Sequence, residues 1–382
     1  MTQLWRFRGR FLLPQALTLL FAATPVASLA IIASGTARAA DLLQPANDDF
    51  NGVFDKAKTS VVQVRSGDLG FVSAGSGFFI DDQGTVLTSS TILGENKNAR
   101  VVINGVEWDA KIVGNDPFSG LAMLRISYDQ APALTLAKST DVKTGNNVLM
   151  LGYPMSLPVA ASEGQVSGFD SSYLSKIPGD TEKKSEVAAV IRFATSHIHA
   201  NLSVSPGQVG GPLLNTRGEV IGLAATSPDG GRTIYGLPTE AMTKVIADFN
   251  AYGHARHGWV GIKVLEAPDT AHDGRTVRVV QVVPGTPASK SGINPGDTVM
   301  RIDNREIYRP SDVLDASFFS KVGGNMTVVV RRDDKLYNYS FAVIERPENN
   351  SAPVNPAVRG STTDSSPAGK IIQASKVVAD RK

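Results

Sequence analysis

The chain has 382 residues, of which 42% are hydrophobic and 19% charged, and its formal net charge is +2. This length predicts two or three folded units. Lys and Arg form no concentrated basic face, which argues against nucleic acid as a partner. With 36 Gly and 21 Pro, the chain is rich in turn-forming residues and favours a β architecture over a helix bundle.

The N-terminal stretch has the pattern of an export signal. An arginine-rich start (Arg6 to Arg10) precedes an apolar stretch over 11–33, and Ala37-Arg38-Ala39 fits the small-x-small cleavage rule. We therefore expect residues 1–40 to be a Sec-type signal peptide that directs the protein to the periplasm. The alternative is an uncleaved membrane anchor, because the apolar stretch is close to spanning length.

Short apolar strands separated by turn residues fill the region 41–250. Asp49 is a candidate cap for a short first helix, a polar solvated loop is expected over 171–184, and a helix that begins at Pro238 closes the region. This pattern predicts a barrel or a sandwich rather than a βαβ fold. The predicted strands are 61–64, 76–80, 86–88, 101–103, 108–113, 121–126, 147–151, 164–168, 188–198, 219–224 and 233–237.

The stretch Gly207-Gln-Val-Gly-Gly-Pro-Leu-Leu214 reads as a tight Gly-rich loop that enters a buried strand. It resembles the nucleophile loop G-N-S-G-G-P-L of the HtrA family of trypsin-like serine proteases. Further motifs of that family are matched in order at 76–88, 116–126, 151–154 and 165–168. The resemblance implies two perpendicular β-barrels with an active site in the cleft between them.

The resemblance also assigns the positions of the catalytic triad, and each of them is substituted here. Thr91 stands where the family has the histidine, Gly120 where it has the aspartate, and Val209 where it has the serine. Loss of the nucleophile or the base of such a triad costs about a millionfold in turnover. The sequence therefore predicts a homologue without proteolytic activity, although the backbone amides of Gly207 and Val209 can still form an oxyanion-hole-like nest.

Two other interpretations of this region stay open. Ser205 could act as a relocated nucleophile, with His197 or His199 as its base. His197 and His199 also lie at i and i+2 of one strand, so their side chains share a face and could bind a metal ion with a third ligand from elsewhere. No other cofactor is expected.

The region 258–346 carries the motif P-A-x-x-x-G-I-x-x-G-D and closely resembles a PDZ domain. The resemblance implies capture of peptide C-termini by strand addition. A linker is expected over 251–257 and a disordered tail over 347–382. The carboxylate-binding loop and the side-chain pocket would be formed by Trp259, Val260, Gly261, Ile262, Val264, Val313 and Ala316.

The sequence as a whole predicts an all-β dominated chain, with a trypsin-like double β-barrel followed by an α+β PDZ domain. Its expected work is to bind unfolded chains or peptide C-termini in the cell envelope, or to modulate an active relative. The resemblance implies a trimer that forms through the N-terminal segment, where Phe50 or Phe54 could contact the neighbouring copies. The alternatives are an active serine endopeptidase that uses noncanonical residues and a metal-binding structural protein. Membrane contact is expected only if the signal segment is retained.

Overall fold

A computed structural model gives the fold of the chain. The described residues from Asp49 to 347 belong to one compact unit. The expected signal peptide (1–40) and all but the first residue of the expected tail (347–382) lie outside the residues that the structure describes. The described residues are 47–67, 73–138, 142–175, 189–269 and 274–347.

The first barrel is a closed sheet with the strand order β1-β2-β3-β6-β5-β4. Val62 and Val64 lie two residues apart on one strand and both point into its core, as the alternation of a pleated strand requires. A one-turn helix, α2, follows β3. The elements are β1 Val61–Ser66, β2 Ser73–Phe79, β3 Thr85–Ser89, α2 Ser90–Leu93, β4 Ala99–Ile103, β5 Val106–Asp116 and β6 Leu121–Arg125.

The second barrel repeats this architecture with the closed order β10-β11-β12-β9-β8-β7. Met150, Ile198 and Leu213 are among the buried residues of its core. A separate buried cluster contains Leu87 and Leu149, and thus residues of both barrels. The elements are β7 Asn147–Gly152, β8 Ala160–Ser175, β9 Ala189–Asn201, β10 Pro212–Leu214, β11 Val220–Thr226 and β12 Thr233–Pro238.

The two barrels share one turn design. In the β2–β3 hairpin, the carboxylate of Asp81 accepts hydrogen bonds from the amides of Gln83 and Thr85 and from the Thr85 hydroxyl. In the β11–β12 hairpin, Asp229 accepts the corresponding bonds from the Arg232 amide and from the amide and hydroxyl of Thr233. Both turns thus satisfy their backbone donors through one carboxylate.

Two longer helices cover the barrels. Helix α1 (Asn47–Ala57) buries Phe50 and Val53 in the cluster that both barrels share. Helix α3 (Thr239–Tyr252) follows β12 and buries Met242, Val245 and Phe249 there, and it ends at Gly253 in the left-handed conformation. Because Phe50 is only 5% exposed, it packs within its own chain and is not available for contact between copies.

The PDZ-like region forms a six-stranded sheet with its own core of Val260, Val277, Val328 and further apolar residues. Helix α4 (Pro310–Phe319) packs beside it. The sheet order is β14-β15-β16-β18-β19, with β17 paired to β16 and a separate short pair β13-β20. The strands are β13 Gly258–Trp259, β14 Ile262–Asp269, β15 Gly274–Val282, β16 Thr298–Ile302, β17 Arg305–Glu306, β18 Asn325–Arg332, β19 Lys335–Ala342 and β20 Ile344–Glu345.

The structure corrects two expectations about local structure. Asp49 lies inside α1 and does not precede it. Residues 171–175, expected as part of a polar loop, continue strand β8, because cross-strand pairing with β9 extends to Ser175; the remainder of that loop, from 176, lies outside the described residues. Within the described ranges, no helix has the length and apolar character needed to span a membrane.

Candidate functional site

The three positions predicted for a catalytic triad meet where the two barrels touch. Thr91 lies in α2 directly after β3, Gly120 ends the turn before β6, and Val209 lies in the loop before β10. The amide of Ser90 donates to the carbonyl of Gly120 (2.9 Å), and the amide of Gly210 donates to the carbonyl of Ala224 in β11 (2.7 Å). We call this place the barrel seam.

The Gly-rich loop is fastened to the first barrel by Ser76. The Ser76 amide donates to the carbonyl of Val209 (2.8 Å) and its hydroxyl donates to the carbonyl of Gly207 (2.7 Å). The same hydroxyl accepts from the amide of Tyr153 (2.9 Å). Within the described residues, the amides of Gly207 and Val209 donate to no backbone acceptor. The loop thus has a fixed backbone, and these two amides pair with no backbone carbonyl of the described ranges.

The side chains at the barrel seam provide hydroxyl and apolar groups. The Ser89 hydroxyl donates to the carbonyl of Ala225 (2.7 Å), so the Thr91 hydroxyl, 2.8 Å away, is the donor in their mutual bond. Val209 packs against the core of the first barrel. At Gly120, with φ +83°, an added Cβ would lie 3.1 Å from the Cβ of Ala225, so restoring a side chain there would crowd the seam.

The nearest imidazole to this place, that of His197 in β9, is already committed to the fold. It is fully buried and stacks on Phe193, with ring centroids 3.7 Å apart. Its Nδ1 lies 3.0 Å from the carbonyl of Thr195 and its Nε2 lies 3.1 Å from that of Ser119. Burial lowers the pKa of His197 to about 4, although the two carbonyls and Asp315 act in the opposite direction. This ring is neutral near pH 7, and each of its nitrogens faces a backbone carbonyl of the fold.

The other two interpretations gain no support from the geometry. The amide of Ser205 donates to the side-chain oxygen of Gln208 (2.7 Å), which ties Ser205 into the loop. His199 stacks on Tyr235 with ring centroids 4.6 Å apart. No group of three His, Cys, Asp or Glu side chains suited to a metal ion occurs among the residues that the structure describes.

The predicted peptide groove lies on the PDZ-like region. Strand β14 is at the edge of the sheet and, in the described part of that sheet, pairs only with β15. Gly261 has φ +87°, and an added Cβ there would lie 2.2 Å from the Thr286 hydroxyl oxygen, so only glycine fits. Ile262 and Val264 are half-buried, whereas Val260, Val313 and Ala316 are buried in the core, and Trp259 pairs with Ile344.

A second group of polar residues joins the barrels to the PDZ-like region, and sequence reasoning missed it. Asp315 of α4 is 9% exposed and accepts three hydrogen bonds from β9. They come from the hydroxyl of Thr195 (2.7 Å) and from the amide (2.7 Å) and hydroxyl (2.8 Å) of Ser196. Arg305 adds a partly exposed cation 3.5 Å from the same carboxylate. We call this contact surface the junction.

A buried Asp–His pair also lies at the junction. Nε2 of His257 is 3.0 Å from the carboxylate of Asp116, which also accepts from the amides of Phe118 and Ser119. Burial would raise the pKa of Asp116, but the nearby His257 and these hydrogen bonds hold that pKa below its ordinary value. Burial lowers the pKa of Arg346, and Asp116 acts against that shift. The spacing of these residues, 141 positions for the pair, gives no local signal in the sequence.

Comparisons with known families assign both folded regions. The model of a trypsin-like peptidase domain matches residues 75–223, and that of a PDZ domain matches residues 258–343. The barrels therefore form a trypsin-like domain, and a PDZ domain follows it. This combination is HtrA/DegP-like, as the relatives below also indicate.

Three relatives cover similar parts of the chain. A DegP-like periplasmic serine endoprotease of Hahella chejuensis is 28% identical over 276 residues, which is 69% of this chain and 55% of the relative. The Do-like protease 14 of Arabidopsis thaliana is 28% identical, with 69% and 62% covered. The serine protease HhoB of Synechocystis is 26% identical, with 68% and 64% covered. The matched part of the chain thus spans between 55% and 64% of the length of these relatives.

Solved structures of the same kind share the fold. The HtrA-type protease AlgW with a tripeptide has a TM-score of 0.65 at 24% identity, and the match covers 79% of this chain and 98% of AlgW. The serine endoprotease from Yersinia pestis has a TM-score of 0.58 at 23% identity, with 78% and 98% covered. At these identities the likeness concerns the fold alone.

Proposed function

We propose that this chain is an HtrA-like protein that binds peptides and does not hydrolyse them. The observation that carries the proposal is the chemistry at the barrel seam. Thr91, Gly120 and Val209 supply no imidazole and no carboxylate, and the nearby ring of His197 is held between two carbonyls. A serine protease needs a base that can take the proton of its nucleophile. The loop keeps its backbone shape and the seam lacks the groups that perform the reaction.

The PDZ domain supplies the binding function in this proposal. Among the residues that the structure describes, β14 pairs only with β15, so its other edge offers backbone groups to an extended peptide, which is the mode of recognition known as strand addition. The loop of Val260 and Gly261 would receive the terminal carboxylate, and Ile262 and Val264 would contact the last side chains. AlgW was solved with a tripeptide and with a decapeptide, which supports peptides as the ligand class.

We place the protein in the periplasm, as several relatives are named periplasmic. There it would bind unfolded chains or exposed C-termini, or modulate an active relative by mixed assembly. The family resemblance implies a trimer, which light scattering would show as a molar mass three times that of the single chain.

The absence of hydrolysis is tested with the purified protein, an unfolded casein substrate and a fluorophosphonate probe. We expect neither cleavage nor labelling. Val209→Ser should also stay inactive, because no base faces position 209. Labelling of Ser205 or of any other serine in the unaltered protein would overturn the proposal in favour of an active endopeptidase.

Peptide binding is tested on an array of C-terminal peptides with two variants of neighbouring residues. Val264→Glu places a charge on the half-buried face of β14 and should reduce affinity at least tenfold. Leu265→Glu is the matched control, because Leu265 is 47% exposed on the opposite face of the same strand. Thermal unfolding of both variants shows whether the fold is retained. Equal affinities of the two folded variants would count against the groove.

A further inference from the structure

The sheet of the PDZ domain has a second edge, at β19, that differs from the edge at β14. Among the described residues, β19 (Lys335–Ala342) pairs only with β18, in a register without a bulge, and it contains no proline. Strand β14 has a register shift between Lys263 and Val264 and contains Pro268. Bulges, prolines and charges are the usual means by which proteins prevent an edge strand from pairing with another chain. Strand β19 has only one charged residue, Lys335, and otherwise lacks these protections.

Hydrogen bonds around β18 show which backbone groups of β19 face outward. The amide of Val343 donates to the carbonyl of Gly324 (2.8 Å), just before β18. The carbonyl of Thr327 accepts from the amide of Asp303 on the other side of β18 (2.8 Å), and Thr327 lies across from Ser340. The direction of the backbone groups alternates along a strand. The odd-numbered residues of β19 therefore bond to β18, and the N–H and C=O groups that point away from the sheet are those of residues 336, 338, 340 and 342.

The side chains of β19 present apolar surface on both faces of this edge. Tyr337 is 37% exposed and stacks on Tyr339, with ring centroids 6.3 Å apart and planes within 5° of parallel. The guanidinium of Arg332 lies 5.3 Å from the Tyr337 ring. Leu336, which points to the opposite face of the strand, is 66% exposed. A strand added at this edge would therefore find aromatic partners on one face and an aliphatic partner on the other.

The two ends of β19 carry opposite charges. At its N-terminal end, the hairpin turn consists of Asp333 and Asp334, which are both exposed and have φ of 47° and 58°. This left-handed conformation is costly for residues other than glycine, and the two carboxylates also repel each other. At the C-terminal end of β19, a pocket of about 390 Å³ has Ala342 and the exposed Lys290 in its lining. A second copy of the strand, placed antiparallel to the first, would bring each acidic turn to the lysine of the other copy.

We propose that β19 is a self-pairing edge, through which two copies of the chain join their PDZ sheets about a two-fold axis at Asn338. Each Asn338 then lies across from the partner's Asn338, Tyr337 lies across from the partner's Tyr339, and Ala342 lies across from the partner's Asp334. The outward backbone groups of the even-numbered residues bond to each other, and the tyrosines form a ladder of four rings. The acidic turn of each copy reaches Lys290 of the other, so the contact is self-complementary. This surface goes beyond the proposed peptide binding, which uses the opposite edge at β14.

The register can be tested by cross-linking, because the chain has no cysteine. Asn338→Cys should form a disulfide-linked pair of chains under mild oxidation, since residues in a hydrogen-bonded antiparallel pair have Cα atoms about 5.5 Å apart. Leu336→Cys is the matched control on the same face of the same strand, because its two copies would lie about 14 Å apart. A single cysteine joins two chains at most, so a trimer formed elsewhere does not affect this result. Equal cross-linking of the two variants, or none in either, would overturn the proposal.

The charge contact can be tested by sedimentation of the unlinked protein, which measures the dissociation constant of the pair. Lys290→Glu should raise that constant several-fold, because it sets a carboxylate against the acidic turn. In a chain that also carries Asp333→Asn and Asp334→Asn, the same substitution should have no such effect. Asparagine tolerates the left-handed conformation, so these variants keep the turn. Equal effects of Lys290→Glu in the two backgrounds would overturn the proposed pairing.

The backbone contact can be tested at the two-fold axis. Asn338→Pro removes an amide that points away from β18 and should raise the dissociation constant at least tenfold without a change in the far-UV circular dichroism. Hydrogen exchange should show protection of the amides of residues 336, 338 and 340 that is lost on dilution. Protection that persists in a single chain would overturn the proposal and assign the edge to another segment of the same chain. Peptide binding at β14, assayed with Val264→Glu, is independent of each of these outcomes.

Discussion

The barrel seam and the junction differ in where the chain keeps its ionisable groups. At the seam, the positions where the family has a histidine, an aspartate and a serine carry Thr91, Gly120 and Val209. The hydrogen bonds there join the Thr91 hydroxyl to that of Ser89, and the Ser89 hydroxyl to the carbonyl of Ala225. At the junction, a buried Asp–His pair with 3.0 Å between Asp116 and His257 stands beside a carboxylate with three donors. Buried ionisable groups, which are costly to remove from water, thus lie at the contact between the two domains, whereas the three predicted triad positions at the barrel seam carry none.

This difference shows that a preserved scaffold says little about the chemistry it carries. Ser76 fastens the Gly-rich loop through three hydrogen bonds, and none of them involves a side chain at positions 91, 120 or 209. Backbone shape and side-chain reactivity can therefore change independently.

The largest effect is expected at the junction, for Phe318→Ala. This ring is almost fully buried among residues of the barrels, so its removal leaves a cavity and should cost about 4 kcal/mol in the free energy of unfolding. Denaturant titration measures it. Leu336→Ala, at a position 66% exposed on β19, is the control and should change little. Equal losses would show that Phe318 does not carry the contact.

A second prediction concerns stability as a function of pH. His197 has a pKa of about 4 in the fold and about 6.5 when unfolded. Between these values the unfolded chain binds a proton that the folded chain does not, so stability falls as pH decreases from 6.5 to 4. The full difference corresponds to about 3 kcal/mol. His197→Gln should flatten this part of the curve, and an unchanged slope would refute the assignment.

A smaller loss is expected for Asp116→Ala. The substitution leaves Nε2 of His257 and the amides of Phe118 and Ser119 without their acceptor in a buried place, at a cost of about 2 kcal/mol. Asp229→Ala removes an acceptor in a more exposed turn, where water can replace it, and should cost about 1 kcal/mol. The comparison fails if the turn variant is the less stable of the two.

The smallest effect is expected at the seam, for Val209→Ser. Val209 is only partly buried against the first barrel, so the change in stability should be about 1 kcal/mol or less. Far-UV circular dichroism and thermal unfolding measure it beside the labelling assay. A large loss would mean that the valine has become an essential part of the core.

Much of the fold could be predicted from the sequence, because a strand and its turns are recognised from residues within a few positions of each other. Apolar and β-branched residues mark the strands Val61–Ser66 and Thr85–Ser89, and Asp81 marks the hairpin turn before the second of them. The end of β8 could not be predicted. Residues 171–175 include three serines, and their strand conformation comes from pairing with β9, which a local pattern does not reveal.

The junction could not be predicted for the same physical reason. Asp315 looks like an ordinary helix residue, and His257 like part of a linker. Their function depends on Thr195 and on Asp116, more than 100 positions away in each case. The burial of His197 likewise results from the turn before β6. A metal site and a relocated nucleophile were reasonable hypotheses from histidine spacing, which carries no information on what faces each ring.

The repeated aspartate turns of the two barrels have a consequence for how the chain folds. Each hairpin closes through contacts within five residues of sequence, so it needs no partner from the other barrel. Hairpins of this kind form in about 1 to 10 μs, long before the distant strands β1 and β4 or β7 and β10 can meet. The chain therefore has two early nuclei of equal design. Kinetic analysis of Asp81→Ala and Asp229→Ala would show whether both, or only one, shape the folding transition state.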